Sequence, residues 1–204
     1  MKKIPTLFKR EYKDHQVVGI YPELSDPSLQ VVLDGLAIPT LKEDGSCCAI
    51  FNGELYKRYD AKKGKQPPAG AIPCQPEPDE ITGHWPHWVK CDPHNAADKW
   101  FIRAYEFRMQ RGIYVDNWTY EAIGEHFQGN PYNMNYDTLY RHGSCIIPLK
   151  EFTFDYIKEY LSNNKIEGIV FWYHNEPICK IKRSDFGYEW PVEGANYELL
   201  HCKT

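Results

Sequence analysis

The clearest alternation of apolar and polar positions lies in residues 46–59, where SCCAIF and ELYKRY flank Asn52-Gly53. That dipeptide tolerates positive φ at both central positions of a type I′ turn, so the segment predicts a tight β-hairpin. In a tight register Arg58 stands opposite Cys47 and returns toward Asp44 and Gly45. Further on, Thr153 is placed to cap FDYIKEYL, in which Phe154, Ile157 and Leu161 mark one face of a short amphipathic helix. Asn163-Asn164 then offers a turn, and IEGIVFWY is a β-branched and aromatic run of strand character that carries Glu167. PICKIKR, after His174-Asn175-Glu176, makes its antiparallel partner. Residues 98–112 fit a helix or a strand equally well. Residues 64–80 are rich in proline and read as a long surface loop, with too few residues before them for a self-sufficient core. The expectation is one domain over residues 1–204. Strands mixed with helices in this order favour an α+β class over a doubly wound sheet.

Composition changes this picture little, but charge narrows the partners. The chain of 204 residues is 42% apolar and 25% charged, the make-up of an ordinary globule. A net charge of −4 excludes a protein that coats nucleic acid by charge alone, so a nucleic-acid site would have to be a local basic groove. Cysteines stand at 47, 48, 74, 91, 145, 179 and 202, an odd number with no C-x-x-C pair, which argues against a disulfide framework or a zinc site. Free thiols, the absence of an export signal and the absence of a membrane span point to the cytoplasm.

Candidate chemistry begins with Lys42-Glu43-Asp44-Gly45, a lysine followed by an acid and a glycine at the entry to a strand. Alone, such a string is usually a solvated turn. Residues of matching chemical type follow in order: Arg58, Glu121 in WTYEAIG, Glu167 in IEGIV, and Lys180 and Lys182 in CKIKR. Glu167 stands out because it interrupts an apolar run, where a buried acid needs a partner or a metal.

The ordered set resembles that of the covalent nucleotidyltransferases, the polynucleotide ligases and RNA capping enzymes. LKEDG looks like their motif I, YKRYD like Ia, YEAIG like III, IEGIVFW like IV and CKIK like V. Within that superfamily the chain is most similar to the ATP-dependent 5′-to-3′ RNA ligase family known from vertebrates. DGSCCAIF, LYKRYDAKKGK, GHWPHW, YEAIGEHFQGNPY, HGSCIIPL, KIEGIVFW and IKRSDFGYEWP carry that resemblance.

The resemblance implies an α+β, ATP-grasp-like adenylation domain of antiparallel sheets flanked by helices; many members of the superfamily add a C-terminal OB-fold domain, and the expectation for this sequence departs from that pattern in having none. It implies an enzyme that binds ATP with Mg²⁺ or Mn²⁺ and acts on RNA with 5′-phosphate and 3′-hydroxyl ends; the oligomeric state is not implied, and a monomer is the default expectation. Lys42 would attack the α-phosphate of ATP, AMP would pass to the 5′-phosphate, and the 3′-hydroxyl would displace AMP. A nucleophilic lysine must be neutral, and Lys180 and Lys182 are neighbours suited to lower its proton affinity and to neutralise the α-phosphate. Glu167 would hold the metal. Glu121 would contact either the ribose or the metal's water shell. Arg58 would pair with a phosphate, Asp44 would orient Lys42 or bind ribose, and Gly45 would let the backbone pass close to the nucleotide. His142 is the candidate to stack on adenine, with Tyr120 and Tyr132 behind it. Lys2, Lys3, Lys9, Arg10 and the KKGK run at residues 62–65 are the basic groups available to assist pyrophosphate. The alternatives are a DNA ligase, a GTP-dependent capping-type enzyme or a non-catalytic module that binds RNA ends.

Overall fold

A computed structural model describes residues 1–14, 16–80 and 82–195, so Cys202 lies outside the described residues. In chain order its strands and helices are β1 (Phe8–Lys13), β2 (Gln16–Leu24), α1 (Gln30–Leu33), β3 (Ile38–Lys42), β4 (Ser46–Phe51), β5 (Glu54–Ala61) and β6 (Ile72–Pro73). There follow β7 (Trp85–Lys90), α2 (Lys99–Gln110), β8 (Thr119–Ile123), β9 (Thr138–Arg141), α3 (Phe154–Asn163), β10 (Gly168–Tyr173) and β11 (Glu176–Lys182). The class is α+β, and among the described residues the named strands all pair antiparallel, with one isolated parallel bridge from Thr6 to Lys180 of β11. The described residues divide into two compact units, residues 1–3 with 44–142 and residues 4–43 with those from 143 to 195.

The first unit is built on a six-stranded sheet in the order β6-β7-β5-β4-β8-β9. Its centre is the expected hairpin: Asn52 and Gly53 take φ of 52° and 76°, and Cys48 faces Lys57 while Ile50 faces Leu55. Cys48, Ile50, Leu55, Tyr120, Ala122 and Leu139 bury one face of the sheet, with Ala104 of α2 in the same cluster. Residues 98–112 are thus helical over most of their length. Trp100, Phe101, Ile102 and Tyr105 all pack against that cluster, a wider apolar surface than a strand alternation would give. Gly45 has a local cause, since a Cβ there would sit 2.2 Å from the carbonyl oxygen of Ala122. Only glycine lets β4 begin that close to β8. Within the proline-rich segment, β6 adds two residues to the sheet edge, the place where a strand tolerates proline.

The GHWPHW segment extends the sheet beyond β5. From Trp85 it is β7, paired along β5 from Tyr56↔Lys90 to Ala61↔Trp85, with Trp88 and His87 buried. Pro86 is accommodated because the strand on that side, β6, is only two residues long.

The second unit holds the hairpin β1-β2 and the sheet β11-β10-β3. Ile169, Phe171, Cys179 and Ile181 form its interior with Leu41 and with Ile157 and Leu161 of α3. Thr153 caps α3, accepting from the backbone N–H of Tyr156. His174 and Asn175 form the β10-β11 turn with φ of 50° and 61°, and Glu176 belongs to β11, opposite Tyr173. Arg183, buried, donates to the carbonyls of Leu161, Asn164 and Glu189, which fixes the end of β11 against the last turn of α3. Cys47, Cys48, Cys74, Cys91 and Cys179 are free thiols as expected, whereas Cys145 is disulfide-bonded. One bridge needs no C-x-x-C spacing, so the spacing argument could not detect it.

Candidate active site

In the second unit four of the candidate residues come together through strand register. Gly168, the first residue of β10, pairs with Lys42 on β3 and with Lys182 on β11, so the three share one rung of the sheet. A Cβ at Gly168 would stand 2.2 Å from the carbonyl oxygen of Ile181, and the bare backbone therefore brings β11 in close. Glu167 precedes that rung and is 5% exposed. Its carboxylate is shared: Lys42 Nζ lies 2.6 Å from Oε2 and Lys182 Nζ lies 2.9 Å from Oε1. The buried acid of the IEGIV run thus has two partners, both lysines. Lys182 is positioned further by Asp185, which accepts from the Lys182 backbone N–H at 2.8 Å and is itself held by Arg10 at 2.7 Å.

Lys180 stands two residues before Lys182 and opposite Val170. Burial pushes its ammonium down to about 8, and the positive charges of Lys42, Lys182 and Arg10 add to this against the pull of Glu167. Three lysines around one carboxylate leave an excess of positive charge in a partly desolvated place. Such a group is suited to a polyphosphate.

The first unit gathers a different set. Glu121 on β8 lies opposite Cys47 on β4, and His142 follows the last residue of β9. His142 is held by both ring nitrogens, Nε2 at 2.9 Å from Glu121 Oε2 and Nδ1 at 3.0 Å from the Thr119 hydroxyl. Its backbone adds an N–H to the Thr119 carbonyl, and its own carbonyl accepts from Trp118 Nε1. Cys47, Glu121 and His142 offer sulfur, oxygen and nitrogen within 4.8 Å of one another. Burial, with the Glu121 charge second, pushes the Cys47 thiol up to about 12. Arg58 is bound by Asp60 two residues on along β5, at 3.0 Å.

Tyr120 is not a stacking group. It is 1% exposed in the core, and its hydroxyl donates to Asp116 at 2.6 Å. The polar tip is satisfied inside, so the ring serves packing. Tyr132 is also buried, and its hydroxyl accepts from the Asp44 backbone N–H at 2.6 Å. This tether on the residue after Lys42-Glu43 was not legible in the sequence, and neither was Cys47 beside Glu121. Both depend on pairings between segments some seventy residues or more apart. Of the basic groups expected to serve pyrophosphate, Lys3 is engaged by Asp79, Lys9 by Glu23 and Arg10 by Asp185. The KKGK run is a solvent-exposed turn closed from Lys65 N–H to the Lys62 carbonyl.

No family model matches the chain. It is similar to RNA ligase 1 of Pongo abelii, with 24% identity over 90% of this chain and 77% of that protein. It is similar likewise to RNA ligase 1 of Danio rerio, with 24% identity over 94% of this chain and 82% of that protein. The homology is distant and runs along nearly the whole chain.

Proposed function

We propose, from this distant homology to RNA ligase 1, that the chain is an ATP-dependent RNA ligase and that Lys42 is its nucleophile. The observation that carries the reading is the rung Lys42–Gly168–Lys182 with Glu167 bridging the two lysines. It brings together residues of the LKEDG, IEGIVFW and CKIK segments, which lie far apart in sequence.

The Lys42 nitrogen attacks the α-phosphorus of ATP, a phosphorus–nitrogen bond forms and pyrophosphate leaves. The AMP then passes to the 5′-phosphate of RNA, and a 3′-hydroxyl displaces it to form the phosphodiester. Lys180 and Lys182 neutralise the charge spreading over the phosphate oxygens. An amine attacks only when it has lost its proton, and a carboxylate at 2.6 Å favours keeping it. The Glu167 charge must therefore be engaged elsewhere when Lys42 reacts. Its oxygens are of the type that Mg²⁺ or Mn²⁺ takes, and a bound divalent cation supplies positive charge at that carboxylate. Glu121 is assigned to the ribose or to the water shell of the metal. Arg58 is assigned to a phosphate, His142 to the adenine, and Asp44 and Gly45 to the backbone beside the nucleotide.

The test is covalent labelling with α-labelled ATP, GTP and NAD, followed by sealing of RNA and DNA ends. The reading expects label from ATP, its loss in Lys42→Ala, and sealing of RNA. Label from GTP alone, or sealing of DNA alone, contradicts it.

A further inference from the structure

Helix α2 carries an arrangement that none of the roles above uses. Lys99, Trp100, Arg103 and Phe107 recur at helical spacing along one side of it, and Arg111, its C-cap, continues the row. Lys99 Nζ sits 4.4 Å from the centre of the Trp100 indole, and the Arg103 guanidinium sits 5.6 Å from it. One segment further, the Arg111 guanidinium lies 4.3 Å from the Phe107 ring and 6.0 Å from that of Tyr136. Each of these rings is backed by another. Trp100 stacks on His126 at 3.3 Å with an interplanar angle of 11°, and Phe107 stacks on Tyr136 at 4.8 Å and 16°. His126 is pinned in turn by buried Asp137, which takes its backbone N–H at 3.0 Å and lies 2.8 Å from its Nδ1.

The result is two rigid aromatic ledges about 10 Å apart along the helix, each topped by cations. Lys99, Arg103 and Arg111 are exposed, and the acids facing solvent nearby are Glu106 on the helix and Glu125 beside His126. In a chain of net charge −4, such a row is a local concentration of positive charge against the overall balance. Cations held over aromatic faces have already lost much of their rotamer freedom and keep their remaining donors toward solvent.

We infer that this face of α2 binds the sugar–phosphate backbone of a single RNA strand. The inference rests on the ligase reading for its choice of RNA and assigns that substrate a surface distinct from the lysine–glutamate cluster. Interleaved cations and aromatics are the surface chemistry that binds single strands without reading sequence.

The experiment measures the affinity of the full chain for a fluorescent single-stranded RNA with a 5′-phosphate, across a salt series, beside DNA of the same sequence. Self-adenylation with labelled ATP is followed in the same preparations. The double substitution Lys99→Glu with Arg103→Glu places acids in the first turns of the helix, where its dipole tolerates them. The expected result is RNA binding weakened about ten-fold or more, with the dependence of log affinity on log salt shallower by about two, while adenylation stays within about two-fold. Arg103→Lys retains most of the affinity. Unchanged RNA affinity and salt dependence in the double variant overturns the inference, and so does a surface that prefers DNA to RNA. Failure of the parent protein to adenylate itself would instead defeat the ligase reading, and the binding measurement would still decide this one.

Discussion

The lysine–glutamate cluster of the second unit and the Glu121–His142 pair of the first are both polar groups set on antiparallel strands, yet they are stabilised in opposite ways. Around Glu167, charge meets charge, with positive charge in excess: one 5%-exposed carboxylate is held between two ammonium groups. Around Glu121, the acid meets an imidazole whose other nitrogen is already fixed by Thr119, so geometry rather than net charge dominates. A site of the first kind is sensitive to any event that alters its charge. A site of the second kind holds its shape when a charge arrives, which suits it to positioning a ligand.

Breaking the first group is expected to give the largest effect. Glu167→Gln keeps the shape but removes the charge that Lys42 and Lys182 share, and adenylation is expected to fall by about 100-fold or more. Glu167→Ala also costs stability, by about 2 kcal/mol after allowance for the partial exposure of both lysines, measurable by urea unfolding. The corresponding Glu121→Gln is expected to cost under about 1 kcal/mol, because an amide still hydrogen-bonds the imidazole. Equal destabilisation at the two acids would remove the distinction between the groups.

Proton linkage sharpens the contrast. Lys180 in the folded chain titrates near 8, below its ordinary 10.5, because burial and neighbouring cations disfavour its charge. Between those values the unfolded chain binds the extra proton, so this residue makes stability rise with pH across the window and is least favourable below it. Lys180→Met is expected to flatten that rise in unfolding measurements made on either side of the window. A slope unchanged by the substitution would show that Lys180 is not the group responsible.

Smaller effects are expected in the first unit. His142→Ala removes the hydrogen bond to Glu121, and a rise of about ten-fold in KM for ATP with little change in kcat is expected if the imidazole only positions the nucleotide. Tyr132→Phe deletes the acceptor for the Asp44 N–H and is expected to cost about 1 kcal/mol in thermal unfolding. A loss of kcat in the histidine variant, or no loss of stability in the tyrosine variant, would reverse those assignments.

Local signals explain which parts of the molecule were legible beforehand. Asn52-Gly53 set the central hairpin and its register, Thr153 set the start of α3, and the apolar run after Glu167 set β10. Each is decided by a few neighbouring residues. Residues 98–112 were ambiguous because α2 turns most of its apolar side chains to one broad buried face while Lys99, Arg103 and Arg111 remain outside. The role of Tyr120 in the core, the tether from Tyr132 to Asp44 and the meeting of Cys47 with Glu121 all follow from contacts between segments far apart in sequence. No local spacing encodes them. The rung of Lys42 and Lys182 was foreshadowed by residue order alone, and the balance of charge on it emerged only with the register of β3, β10 and β11.

The central claim is that Lys42 carries the covalent nucleotide. Incubation with ATP and a divalent cation, digestion, and mass-spectrometric mapping of the modified peptide test it most directly. The account predicts a single AMP on the lysine of the LKEDGS segment. AMP found on Lys180 or Lys182 instead, or the same modification persisting in Lys42→Ala, would contradict it.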